Sequence, residues 1–310
     1  MWGKNWTLKE GFAIGAGLIV AGLMLEMTVG PVDWNLFAYP ANAIVLVVLL
    51  VGITGMHLLR RQVHAFRFMG TLQAAIPTMC YAVVLTIIMG LTRQTVNGQW
   101  LNNMLTFWPF VLIYTLMAVE LGLTILRQFK AWAAVHFSLR AFHFSLPFHL
   151  GLFIALTTAT LGSADMQRLK MITVIDEPEW RALDQQGSIR ELPLAIELKR
   201  FIMEQYDDGS PRRFASDVQI LTKSGKNILC TVEVNKPFTV EGWKIYQYGY
   251  DTQMGAMSRT SILELVTDPW LPLVYTGIYM MLAAAVLMFV FGRGVKEEAK
   301  RGVNEELKGS

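Results

Sequence analysis

The run Phe148-His149-Leu150-Gly151-Leu152-Phe153-Ile154-Ala155-Leu156-Thr157-Thr158-Ala159-Thr160-Leu161-Gly162 passes directly into Ser163-Ala164-Asp165-Met166-Gln167-Arg168-Leu169-Lys170. The first part is apolar enough to enter a bilayer, and the second opens a long polar region that is not. The junction predicts a membrane domain handing over to a water-exposed one. His149 stands at the membrane end of the handover, where an imidazole needs a partner.

Working outward, the chain is 53% hydrophobic and 16% charged over 310 residues, with a mean hydropathy of +0.39. That is too apolar for a soluble enzyme, and the apolar residues gather in runs close to the roughly 20 residues that cross a bilayer. Six spans are read at 11–30, 36–58, 72–91, 105–126, 146–163 and 270–292. Pro77 falls inside the third, which a helix with neighbours tolerates. The fold class expected is an integral membrane α-helical bundle of six transmembrane helices, with an extracytoplasmic β-rich domain inserted between the last two. The domains run 1–163, 164–269 and 270–292, followed by a tail at 293–310.

Positive charge orients the spans. Lys4 and Lys9 precede the first, and Arg60, Arg61 and Arg67 follow the second. Arg127, Lys130 and Arg140 follow the fourth, and Arg293, Lys296, Lys300 and Arg301 follow the sixth. The alternate short loops hold only Arg93. The bias places both termini in the cytoplasm and 164–269 outside a bacterial inner membrane. Trp34, Trp100, Trp108 and Trp270 mark interfaces. The first span carries no convincing cleavage site before Glu26, so it is expected to stay. The mixed apolar and basic segment 127–145 is expected to lie on the inner surface as a helix.

The external region reads as strands. Leu192–Leu198 and Ser216–Thr222 alternate, Lys223-Ser224-Gly225-Lys226 turns, and Asn227–Val234 returns as a hairpin. Trp243–Tyr250 alternates and is aromatic. Strand parity puts Tyr246, Tyr248 and Tyr250 on one face and Trp243 on the other. The stripe is either core packing or a binding platform.

Motifs exclude several chemistries. There is no glycine-rich phosphate loop, no H-E-x-x-H, no G-x-S-x-G and no C-x-x-C. Cys80 and Cys230 lie far apart, and no disulfide is expected between them. The external region has no histidine. All five, His57, His64, His136, His143 and His149, lie at inner span ends or in basic loops. Neutral His149 either ligates haem iron or bonds a carbonyl at the interface. His57 either faces the same inner-leaflet site or lies at the lipid interface. His64, His136 and His143 are either solvated or near haem carboxylates, with Arg60, Arg61 or Arg140. Glu120, inside the fourth span, is a functional candidate with Arg127 or a neighbouring histidine as its expected partner. Glu26 is either such a candidate or placed at the interface.

The quoted junction leads through a span into Glu191-Leu192-Pro193-Leu194, Phe214-Ala215-Ser216-Asp217, Glu233-Val234-Asn235-Lys236-Pro237 and Gly242-Trp243-Lys244-Ile245-Tyr246-Gln247. It closes on Asp268-Pro269-Trp270-Leu271-Pro272-Leu273-Val274-Tyr275. This pattern resembles the ResB, or CcsB, family of system II cytochrome c biogenesis, in a Bacteroidetes-like form. The likeness covers about 146–292, and the family's common pattern has three spans before the external domain where five are counted here.

The resemblance implies a partner of CcsA type, which carries the W-G-x-W-W-x-W-D haem motif missing from this chain. It implies transport of haem b across the inner membrane and support for its attachment to apocytochrome c. The chain would then be a non-catalytic part of a haem lyase complex. His149 matches the family's membrane histidine, and His57, Arg60 and Arg61 are the further candidates at the haem. Two other classes remain open. One is a membrane b-type haem electron carrier, which would need facing histidine pairs. The other is a non-haem scaffold recruiting partners through its external domain.

Overall fold

The computed structural model describes residues 6–95, 98, 100–134 and 145–306. They form two compact units, Asp165–Pro269 and the helices on either side of it in the chain.

The helical unit holds α1 (Leu8–Thr28), α2 (Ala41–Leu59), the short α3 (His64–Met69), α4 (Leu72–Leu91), α5 (Trp108–Ala134), α6 (Ser145–Gly162) and α7 (Leu271–Glu306). Six of these helical segments are long and apolar enough to cross a membrane. Sequence chemistry sets the ends. Thr7 and Glu10 form a reciprocal cap on α1, in which the Thr7 amide donates to Glu10 Oε2 at 2.6 Å. Pro40 delays α2 to Ala41, and Leu36 and Phe37, read as the start of that span, instead belong to a 3₁₀ turn, Trp34–Phe37. Arg127-Gln128-Phe129-Lys130 does not start a separate surface helix, because α5 continues without a break to Ala134. The remainder of that expected helix, with His136, Arg140 and His143, lies outside the described residues.

Small residues let the helices approach. A Cβ at Gly22 would stand 2.6 Å from the Pro109 nitrogen, so α1 meets the start of α5 backbone to backbone. At that contact Glu26 is buried and its Oε2 accepts the Trp108 amide at 3.2 Å. A carboxylate at a helix N-terminus is favoured by the unsatisfied amides there. Glu26 therefore ties two helices together, a role beyond placement at the interface. Helices α6 and α7 cross where Gly151 meets Gly277, and a Cβ on Gly151 would lie 2.6 Å from the Gly277 carbonyl.

The second unit is one antiparallel sheet of β1 (Gln167–Val174), β2 (Pro178–Leu183), β3 (Ile189–Gln205), β4 (Pro211–Thr222), β5 (Asn227–Glu233), β6 (Phe238–Val240), β7 (Trp243–Tyr250) and β8 (Thr260–Thr267). The spatial order is β5-β4-β3-β2-β1-β8-β7-β6. A five-strand meander and a three-strand meander thus meet where β8 pairs with β1. The sheet curls over one core containing Met171, Ile196, Leu198, Val218, Ile220, Ile245, Leu263 and Leu265. Across that core Ser216 of β4 donates to Gln247 Oε1 of β7 at 2.6 Å and lies 2.8 Å from Ser261 Oγ of β8. The hairpin at 223–226 turns on Gly225, whose φ of +82° suits a residue without Cβ.

The aromatic stripe needs correction. A bulge between Gln247 and Gly249 shifts the register. Tyr246 and Tyr248 stay on the outer face, while Tyr250 turns inward and stacks between Phe201 and Phe214 at 4.9 and 5.2 Å. Cys80 and Cys230 are both free thiols.

Candidate functional site

His149 sits one turn into α6, with Pro147 pre-set for the helical first turn. Its Nδ1 lies 2.6 Å from the Ser145 carbonyl oxygen, four residues back. A carbonyl only accepts, so the proton belongs on Nδ1 and the ring donates it. That choice leaves Nε2 as the nitrogen with a free lone pair, the arrangement in which an imidazole ligates a metal. The two options left open by the sequence, ligand or carbonyl partner, are therefore compatible in one ring.

Gln128 of α5 approaches the same nitrogen at 3.4 Å. An Nδ1 that already carries a proton has no lone pair for an amide N–H, so the Gln128 carbonyl, rather than its NH2, is the end that belongs against the ring. The opposite end occupies the position now held by Oε1, which is buried and has no hydrogen-bond partner. Nothing in the sequence marks Gln128 except that it adjoins Arg127.

His57, Arg60 and Arg61 come together elsewhere. They line a cavity of about 470 Å³ with Arg67 of α3 and Arg127 of α5. His57 Nδ1 lies 3.4 Å from Arg60 Nη1, and Arg127 Nη1 donates to the Gly70 carbonyl at 2.6 Å. His149 is not among the residues lining this cavity. Arg67 and Arg127, read from the sequence only for orientation and as a partner for Glu120, are part of it. His64 packs its ring edgewise on Trp6, with centroids 5.3 Å apart. Glu120 is buried, and its partner is Thr78 of α4, whose hydroxyl lies 3.1 Å from Oε1. Among the described residues, neither Arg127 nor a histidine is hydrogen-bonded or ion-paired to it. Among the described residues no three His, Cys, Asp or Glu side chains converge as a metal site.

A profile of the ResB-like family matches residues 144–262. A cytochrome c biogenesis protein CcsB from Prochlorococcus marinus subsp. pastoris (strain CCMP1986 / NIES-2087 / MED4) is 28% identical over 116 residues, 37% of this chain and 26% of that protein. The CcsB of Prochlorococcus marinus strain NATL1A is 27% identical over 99 residues, 32% of this chain and 22% of its own length. The matched segment thus spans about a quarter of each of these relatives. A solved cytochrome c haem lyase CcmF is 12% identical at a TM-score of 0.37, over 91% of this chain and 46% of that one, a likeness too low to carry a conclusion. With six helices long and apolar enough to cross a membrane, this is a multi-pass membrane protein whose residues 144–262 are similar to the ResB-like family.

Proposed function

We propose that the chain serves cytochrome c biogenesis as a membrane subunit that handles haem together with a CcsA-type partner. The observation that supports this most directly is the Nδ1 bond from His149 to Ser145, which fixes the tautomer and leaves Nε2 free for iron. The residues fit such a cargo. A neutral imidazole in the first turn of an apolar helix suits a macrocycle that is itself apolar, and the second axial bond falls to the partner. In this reading the β unit lies on the periplasmic side of the inner membrane, both termini are cytoplasmic, and the sheet receives apocytochrome c or the partner's outer loops.

We assign the iron to His149 alone. His57, Arg60 and Arg61 line a cavity from which His149 is absent, so we give them no part in holding the haem. A self-sufficient b-type electron carrier would need facing histidines, and the cavity that His57 lines does not include His149.

The test is co-expression with a CcsA-type partner, purification of the complex and an absorption spectrum. His149→Ala is expected to remove most bound haem while the complex still forms. Haem content equal to that of the unaltered complex would refute the assignment.

A further inference from the structure

Between Trp34 and Ala164 the chain carries seven Lys and Arg residues and a single carboxylate, Glu120. Glu120 is committed to Thr78 inside the helices. Four of those cations, Arg60, Arg61, Arg67 and Arg127, converge on the cavity of about 470 Å³. Among the side chains that the structure describes, no carboxylate forms an ion pair with any of the four, and the ion pairs between those side chains all lie in the β unit. Like charges held together without counter-ions repel one another, and the arrangement persists at low cost only if an anion joins it.

We propose that this cavity binds the phosphate group of an anionic phospholipid. Guanidinium groups present paired N–H donors that match phosphate oxygens in a fork. Several guanidiniums facing one space favour a group with several acceptor oxygens. Depth points to a lipid rather than to free phosphate. Arg60 and Arg61 directly follow Leu59, the last residue of α2, where an apolar helix reaches the headgroup level. Leu58 is 72% exposed beside them, an open apolar surface along which an acyl chain can lie. Basic pockets between membrane helices hold anionic headgroups in this way. The proposal does not depend on the haem reading.

The experiment uses the full chain in nanodiscs of phosphatidylcholine containing a minority of spin-labelled phosphatidylglycerol. Retention of that lipid is compared with retention of spin-labelled phosphatidylcholine. The expected result is preferential retention of phosphatidylglycerol, weakened about fivefold for each charge removed in Arg61→Gln and Arg67→Gln. Arg93→Gln, which removes the same charge from a different loop, should leave it unchanged. Arg61→Lys with Arg67→Lys, a variant that preserves charge, should keep most of the preference and guards against a failure to fold. Equal retention of both lipids would overturn the proposal, as would a preference that survives both glutamine substitutions. Displacement by millimolar inorganic phosphate would overturn the lipid assignment in favour of free phosphate. Displacement of the lipid by haem, with haem affinity itself lost in the glutamine variants, would assign the cavity to porphyrin carboxylates and overturn it as well.

Discussion

The Ser145 carbonyl receives the Nδ1 proton of His149 across 2.6 Å within the first turn of α6. One backbone oxygen thus decides which face of the imidazole can act as a base or a ligand. It is a contact between residues four apart, so it forms as soon as α6 forms and needs no other helix. The ring's chemistry is set locally, while its neighbour Gln128 arrives from another helix.

That neighbour gives the first prediction. Gln128 has one amide end left buried without a partner, and a buried polar atom in that state costs about 1–3 kcal/mol. Gln128→Leu removes the atom and keeps a side chain of similar length, while the bond from His149 to Ser145 remains. The thermal midpoint of the purified chain should hold or rise. A fall of several degrees would mean that the amide is satisfied and the orientation argued for it is wrong.

The second prediction concerns Thr78 and Glu120. The Thr78 hydroxyl has one proton and two acceptors in reach, the Ala74 carbonyl at 3.2 Å and Glu120 Oε1 at 3.1 Å. A neutral amide of the same shape can take the place of the carboxyl and donate to the Thr78 oxygen. Glu120→Gln should therefore cost less than about 1 kcal/mol, in line with hydrogen bonds between membrane helices averaging roughly 0.6 kcal/mol. Glu120→Lys brings a longer cation into a site packed by α4 and α5 and should abolish accumulation in the membrane. Thermal unfolding in detergent and quantitative blotting of membranes measure the two effects. If Gln is as damaging as Lys, the ionised carboxylate itself is required.

How far the sequence discloses this arrangement can be argued residue by residue. The span read at 72–91 coincides with α4 because Thr71 and Thr92 bound a continuous apolar run. The end of α5 was legible only as a change of polarity. Arg127 and Lys130 end the hydrocarbon span, but they are good helix formers and the helix runs on beneath them. Strands β1 and β8 are hard to read from the sequence because Ile172, Ile262 and Val266 put apolar side chains on the outer face and blur the alternation. Parity alone puts Tyr250 on the wrong face, because the bulge adds one residue that the sequence pattern does not reveal. The basic character of Arg60 and Arg61 was plain, but their meeting with Arg67 and Arg127 is tertiary, as is the partnership of Glu120 with a threonine 42 residues away.

The third prediction rests on Cys230 of β5, outside the membrane helices. Burial, with the Asp217 carboxylate nearby, pushes its thiol up to about 11. Only the thiolate attacks alkylating reagents, and an unperturbed thiol ionises near 8.5. At pH 8 the Cys230 thiolate is therefore depleted by more than a hundredfold relative to a free thiol. In a Cys80→Ser background, alkylation by iodoacetamide should be slow at pH 8 and accelerate about tenfold per pH unit up to the region of 11. The sign for stability follows from the same shift. Between about 8.5 and 11 the unfolded chain loses this proton and the folded chain keeps it, so the thiol's contribution to stability is full below 8.5 and declines as pH climbs. Asp217→Asn removes the neighbouring negative charge and should raise the alkylation rate at a given pH, although it also breaks the ion pair with Arg200 at 2.9 Å. Stability of that variant must therefore be followed in parallel. Rapid alkylation at pH 8 in a fully folded chain would show that β5 opens to solvent and that the burial of Cys230 is not maintained.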